Sequence, residues 1–248
     1  MGVAAVVTGS GAPVTAAAHG LGASIAETRP LLSGVDGTRV FYAARGHAGD
    51  LPEPFTYSDL GDDLLAVADD HGATRALGVS MGAGALLSVL SRSPSRFDKV
   101  VLFLPGALDQ PRKDDAVRRF AALVAALERK DLAGVREFVS AEIPAELRDR
   151  AAAYLDARAQ FLLDSPGVAV GVTSLPPVTP VPDRSVLASV ATEVLVLAQE
   201  GDPLHPAQVA REVAAALPKA GLVVFDQPGA LLRERARLRG LISDFLND

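Results

Sequence analysis

The octapeptide Leu77-Gly78-Val79-Ser80-Met81-Gly82-Ala83-Gly84 sets one serine between two glycines, each two residues away. An apolar run precedes it and a helical pattern follows. A G-x-S-x-G segment in that setting is a sharp strand-to-helix turn that lifts a hydroxyl clear of the end of a sheet. A serine placed so can attack a carbonyl carbon. The attack requires a base to take the hydroxyl proton, an acid to orient that base, and donors aimed at the oxyanion that forms.

The same glycines admit a second reading. Gly78, Gly82 and Gly84 fit G-x-x-x-G-x-G, which resembles the cofactor loop of short-chain dehydrogenases, where glycine lets the backbone approach a pyrophosphate. Position argues against it. A dinucleotide loop follows the first strand of its sheet, whereas two or more strand–helix units precede Gly78. The next strand, Lys99–Leu104, ends without the acidic residue that would hold a ribose. The Tyr-x-x-x-Lys pair of those enzymes is missing too, since Arg158 stands where the lysine would follow Tyr154. No organic cofactor and no metal is implied.

The elements that must carry the turn follow from apolar periodicity. Val3–Thr8 and Val14–Ala18 read as strands split by Gly-Ser-Gly-Ala-Pro. Ser24–Leu32 reads as a short helix capped by Ser24, and Thr38–Tyr42 as a strand. Ser58 is expected to cap a helix reaching His71, with Asp59, Asp62 and Asp63 near its positive end. Arg75–Val79 and Lys99–Leu104 are buried strands with a helix, Met81–Leu90, between them. Glu193–Ala198, Pro206–Leu217, Leu222–Phe225 and Leu231–Leu246 then give strand, helix, strand, helix. The alternation predicts an α/β fold with a mostly parallel, doubly wound sheet. Between the two halves the pattern changes. Residues 106–184 show helical periodicity without a clear strand, with Phe120, Leu123, Val124 and Leu127 on one stripe and Leu147, Tyr154, Leu155, Phe161 and Leu162 serving a second helical stretch. Residues 174–183, SLPPVTPVPD, form a stiff return path. The expected organisation is a core of residues 1–105 and 185–248 with a helical cap inserted at 106–184.

With 248 residues, 49% of them hydrophobic and 22% charged, the chain can bury a sizeable core. A net charge of −6 argues against a nucleic-acid partner. The lack of cysteine excludes disulfides, thiolate chemistry and cysteine-ligated zinc. No Lys or Arg precedes Arg29 and glycines interrupt the apolar start, so no signal peptide is expected, and no apolar run reaches the length of a membrane span. These features point to a cytoplasmic protein acting on a small molecule. The alanine-rich composition points to a bacterial source, and nothing in the sequence speaks to oligomeric state.

Further features extend the serine turn in order. His19-Gly20-Leu21-Gly22 ends an early strand, Arg45-Gly46-His47 follows the next, and Glu200-Gly201-Asp202 follows a late one. Over nearly its whole length this order resembles the α/β-hydrolase superfamily, with capped esterases and proline iminopeptidases as the nearest look. The resemblance implies that Ser80 is the nucleophile and that the N–H groups of Met81 and Leu21 hold the oxyanion. It implies that His19 and Gly20 belong to the substrate-binding loop and that Asp202 is the acid. It also implies a histidine after the last strand. There the sequence reads Phe225-Asp226-Gln227-Pro228-Gly229-Ala230, so Ala230 occupies the histidine position, and no histidine follows His205.

Four histidines could stand in. His19 is expected to shape the oxyanion loop, His47 to make loop or surface hydrogen bonds, and His71, at a helix end, to be solvated. His205 lies three residues after Asp202, at the start of the helix that begins with Pro206. A helix N-terminus disfavours the imidazolium and would leave the ring free to accept a proton. His205 is therefore the candidate substitute base, with capping or packing as its alternative role. Asp226 and Gln227, beside Ala230, are candidates to line a pocket. Three classes of function remain open: a hydrolase of small esters, lactones or amides with an atypical base; a non-hydrolytic lyase, isomerase or cyclase; and a ligand-binding pseudohydrolase.

Overall fold

A computed structural model describes residues 5–49 and 52–248. Seven strands make one sheet: β1 (Ala5–Gly9), β2 (Val14–Ala18), β3 (Thr38–Tyr42), β4 (Arg75–Val79), β5 (Lys99–Phe103), β6 (Glu193–Gln199) and β7 (Ala220–Phe225). Their order is β1-β3-β2-β4-β5-β6-β7. Only β1 runs antiparallel, with Ala5 opposite Tyr42 and Gly9 opposite Thr38; the other pairs are parallel. Parallel strands are covered on both faces, which is why β5 reads as an unbroken apolar run and Val100 to Phe103 are fully buried.

The helices are α1 (Ile25–Thr28), α2 (Tyr57–His71), α3 (Met81–Arg92), α4 (Asp115–Glu128), α5 (Leu132–Ser140), α6 (Ala152–Asp164), α7 (Pro166–Ser174), α8 (Ala207–Ala216), α9 (Ala230–Arg233) and α10 (Arg235–Asn247). Helices α2, α3 and α8 cover one face of the sheet through Leu64, Leu86, Leu90 and Val213. Helix α10 covers the other, where Leu238, Ile242 and Leu246 meet Phe103 and Phe225. Helices α4 to α7 all lie between β5 and β6. They pack on one another around Leu123, Val135, Leu155 and Val172, and Leu21 joins that cluster from the core.

Several local expectations need correction. The cap of α2 is Thr56, not Ser58: its side chain accepts the Asp59 N–H at 3.4 Å, while Asp59 accepts the Thr56 N–H at 2.7 Å. That reciprocal capping box starts the helix earlier than Ser58 alone would. The helix expected at Ser24–Leu32 is α1 followed by a 3₁₀ turn over Arg29–Leu32, where Pro30 has no N–H to continue the α ladder. The helix expected at Leu231–Leu246 is two, because Glu234 leaves helical geometry at φ −122° and ψ 32°. The first strand runs to Gly9, and the part of it expected at Val3 and Ala4 lies outside the described residues.

Candidate active site

Strand β4 ends at Val79, and the chain reverses at Ser80 into α3. Ser80 takes φ 51° and ψ −105°, a conformation that side-chain-bearing residues rarely adopt. The turn is held because Ser80 donates its N–H to Phe103 O at 2.9 Å and accepts the Gly84 N–H at 3.0 Å. The flanking glycines are steric necessities. A Cβ on Gly78 would collide with the carbonyl of Gly82, and one on Gly82 with the carbonyl of Ala18.

The Ser80 Oγ lies 2.8 Å from His205 Nε2. On the far edge of the ring, His205 Nδ1 is 3.2 Å from both oxygens of Asp202. The carboxylate fixes the tautomer: Nδ1 carries the proton and donates it to Asp202, leaving the Nε2 lone pair to accept the Ser80 hydroxyl. Local chemistry makes this loop compact. Asp202 Oδ1 accepts the N–H groups of Leu204 at 2.8 Å and His205 at 2.9 Å, so Asp202 and His205 are tied through one turn of backbone. Pro206, the N-cap of α8, stands between His205 and the helix, so the ring takes its setting from Asp202 rather than from the helix end. Burial alone would push the Asp202 carboxyl up. The hydrogen bonds from His205, Gln199 and Leu204, with the pull of the His205 charge, outweigh it and hold the pKa at about 2.

Gln199, the last residue of β6, was not anticipated. Its amide Nε2 donates to Asp202 Oδ2 at 2.6 Å, and its Oε1 accepts the N–H groups of Gly229 at 3.0 Å and Ala230 at 2.9 Å. One side chain thus joins the loop after β6 to the turn after β7. Ala230 is buried at the start of α9 with its methyl group in the apolar cluster under α10. Asp226 and Gln227 are exposed and do not line the cavity, contrary to expectation, because the turn directs them to solvent.

On the other side of Ser80 the turn after β2 brings Gly20 close enough that a Cβ on it would touch the Ser80 side chain at 3.5 Å. The N–H groups of Leu21 and Met81 find no protein acceptor among the described residues, and both residues line the cavity. His19 does not line it. The ring is buried at 1% exposure, donates from Nδ1 to Gly20 O at 2.8 Å and accepts the Ala44 N–H on Nε2 at 3.0 Å. Burial lowers its pKa despite the Gly20 hydrogen bond, which suits a neutral structural ring. His47 is buried as well, rather than at the surface. Its Nε2 accepts the Gly22 N–H at 2.8 Å, and the two histidines meet edge to face with centroids 4.7 Å apart. Together they fix the turn that presents Leu21. His71 is exposed at the end of α2.

A cavity of about 470 Å³ opens above Ser80, walled from the sheet side by Leu21, Leu31 and Leu104 and from the helical segment by Phe138, Ile143 and Leu162. Its polar wall includes a closed network in which Arg158 pairs with Glu142 at 2.9 Å and donates to Tyr154, whose hydroxyl donates to Glu27 at 2.7 Å. Burial raises the pKa of Glu142 against the pull of Arg158. Among the described residues no group of three or more histidines and carboxylates is placed to hold a metal ion. No helix of the described residues is long and apolar enough to cross a membrane.

Comparison with known proteins bears on the fold. A model of the alpha/beta hydrolase family matches residues 17–238. The chain is similar to the enol-lactonase of Burkholderia xenovorans LB400, at 19% identity over 99% of this chain and 96% of that one, with a TM-score of 0.84. It is similar to an esterase of Exiguobacterium antarcticum, at 18% identity over 99% and 96%, with a TM-score of 0.83. It is also similar to the 2-hydroxy-6-oxo-6-phenylhexa-2,4-dienoate hydrolase of Rhodococcus sp. strain RHA1, at 20% identity over 98% and 94%, with a TM-score of 0.79. At these identities the structural likeness speaks for the shared fold. No curated protein sequence matches the chain.

Proposed function

The chain belongs to the alpha/beta hydrolase family, and from that premise we propose that it is a serine hydrolase of small carboxylic esters, lactones or amides whose base is His205. The observation that carries this reading is the 2.8 Å contact between Ser80 Oγ and His205 Nε2, backed by Asp202 on the opposite ring nitrogen. His205 takes the Ser80 proton as Oγ attacks the carbonyl carbon. The oxyanion forms between the N–H groups of Leu21 and Met81, which have no other acceptor to give up among the described residues. The imidazolium, stabilised by Asp202, returns the proton to the leaving alcohol or amine, and an acyl-enzyme remains. Water, deprotonated by the same ring, releases the acid and restores Ser80. On this reading Ala230 marks a catalytic histidine position that has been vacated, and its work has passed to the neighbouring loop.

The apolar share of the cavity wall favours a substrate with a hydrocarbon body. The test is a labelling time course with a fluorophosphonate probe, alongside turnover of short-chain aryl esters. The expected result is rapid labelling and turnover, both abolished in Ser80→Ala. An unreactive Ser80 would reject hydrolysis and leave a non-hydrolytic enzyme or a ligand-binding protein.

A further inference from the structure

Four arginines line the cavity, and one of them stands beside His205. Arg158 is engaged by Glu142 and Tyr154 although its Nε is buried without a partner, Arg235 is exposed, and Arg239 is half-buried on α10 with an Nε that likewise has no partner among the described residues. The Arg112 side chain is only 9% exposed, and Nε and Nη2 donate to Asp114 at 3.2 and 2.7 Å. Its Nη1 makes no hydrogen bond among the described residues. That free arm is next to the reacting groups. A Cβ on Gly106 would stand 3.2 Å from Arg112 Nη1 and 3.4 Å from His205 Cδ2, so the guanidinium and the base face each other across one glycine.

Tyr57 supplies a second donor. It is the first residue of α2, 9% exposed, with its ring against Gly84 in the first turn of α3. Its hydroxyl makes no hydrogen bond among the described residues, and the residue lines the same cavity. Burial pushes the phenol up to about 12 against the pull of the Arg112 cation, so the hydroxyl keeps its proton. The nearby carboxylates are already committed, Asp202 to His205 and Gln199, and Glu142 to Arg158. A set of donors without an acceptor calls for an acceptor from the ligand, and the guanidinium makes an anionic one the best match.

We propose that Arg112 Nη1 and the Tyr57 hydroxyl form a subsite for a free carboxylate on the substrate, so that the preferred substrate is an ester or lactone that also carries an acid group. This rests on the hydrolase reading and narrows its substrate class. The test compares kcat/KM for the monomethyl esters of succinic, glutaric and adipic acids with that for the methyl esters of butyric, valeric and hexanoic acids. The wild-type protein is expected to favour the acid-bearing series by about tenfold or more. Arg112→Gln should cut that ratio by about tenfold and Tyr57→Phe by about threefold. A wild-type ratio of one or below, or a ratio that Arg112→Gln leaves unchanged, would overturn the subsite. If neither series is turned over, the hydrolase reading has failed, and the subsite is decided separately by calorimetric titration of monomethyl glutarate into the Ser80→Ala protein. Binding that weakens about tenfold on adding Arg112→Gln supports it; no binding, or equal binding, overturns it.

Discussion

The turns after β6 and β7 leave adjacent parallel strands at the same end of the sheet, and they present different things to the cavity. The end of β6 and the turn after it carry Gln199, Asp202 and His205, all three lining the cavity and two of them titratable. The turn after β7 offers Gly229 to the cavity wall, buries Ala230, and turns Asp226 and Gln227 outward. Adjacent strands in a sheet are only about 4.8 Å apart, so side chains from either turn can reach the same space above Ser80. An imidazole is defined as a base by where its Nε2 sits and what holds its Nδ1, not by the strand it follows. On the proposed assignment, the difference between the two turns teaches that the base can sit one strand inward, beside an acid that keeps its expected place after β6. Here Asp202 and His205 are three residues apart and share one backbone turn.

This contrast can be broken by variants, the most damaging first. Asp202→Asn replaces the acceptor on Nδ1 with a side chain able to donate, which favours the wrong tautomer. We expect kcat/KM on a short aryl ester to fall on the order of 10⁴-fold. The same variant tests the electrostatics. The carboxyl is depressed from 3.8 to about 2, so its contribution is present above pH 4 and is lost as the pH falls toward 2. Wild type should exceed the variant in stability by about 2 kcal/mol in denaturant titrations near neutrality, and the gap should close near pH 2. A gap that does not change with pH would mean the carboxylate is not held by these bonds.

Gln199→Glu separates the two turns chemically. It keeps acceptors for Gly229 and Ala230 but sets a second carboxylate against Asp202. The expected loss is roughly 10- to 100-fold in kcat with little change in KM. An unaffected kcat would show that Gln199 serves the turn after β7 alone. Ala230→His gives the smallest catalytic effect. The position is 1% exposed and packed beneath α10, so the ring cannot enter the cavity without disrupting that packing. We expect no gain in turnover and a stability loss of about 1–3 kcal/mol by thermal melting. A rise in turnover would restore the turn after β7 as a source of base and remove the distinction between the two.

The sheet was legible because apolar strands alternate with helices, and Ser80 because the glycines around it are demanded by carbonyls of Gly82 and Ala18. His205 could be singled out among four histidines by its spacing from Asp202, but its reach to Ser80 depends on where β4 and β6 bring their ends. Gln199, Arg112 and Tyr57 were missed for that reason, since the groups that each one faces are brought near by the fold rather than by a motif. His19 was placed in the substrate-binding loop by the resemblance and expected to shape it; both its nitrogens are taken up by backbone groups, so it holds the loop without facing the cavity. The Thr56 cap was readable in principle, since Thr56-x-x-Asp59 pairs a hydroxyl with an acid three residues on, whereas nothing in the sequence marks the break at Glu234.

The central claim is that His205 is the base, and it is tested most directly by the turnover of His205→Ala on an aryl ester, with and without added imidazole. The account predicts a loss of kcat of at least about 10³-fold, with part of the activity returned by imidazole entering the vacated space. Turnover within tenfold of wild type, still dependent on Ser80, would contradict it and place the base elsewhere.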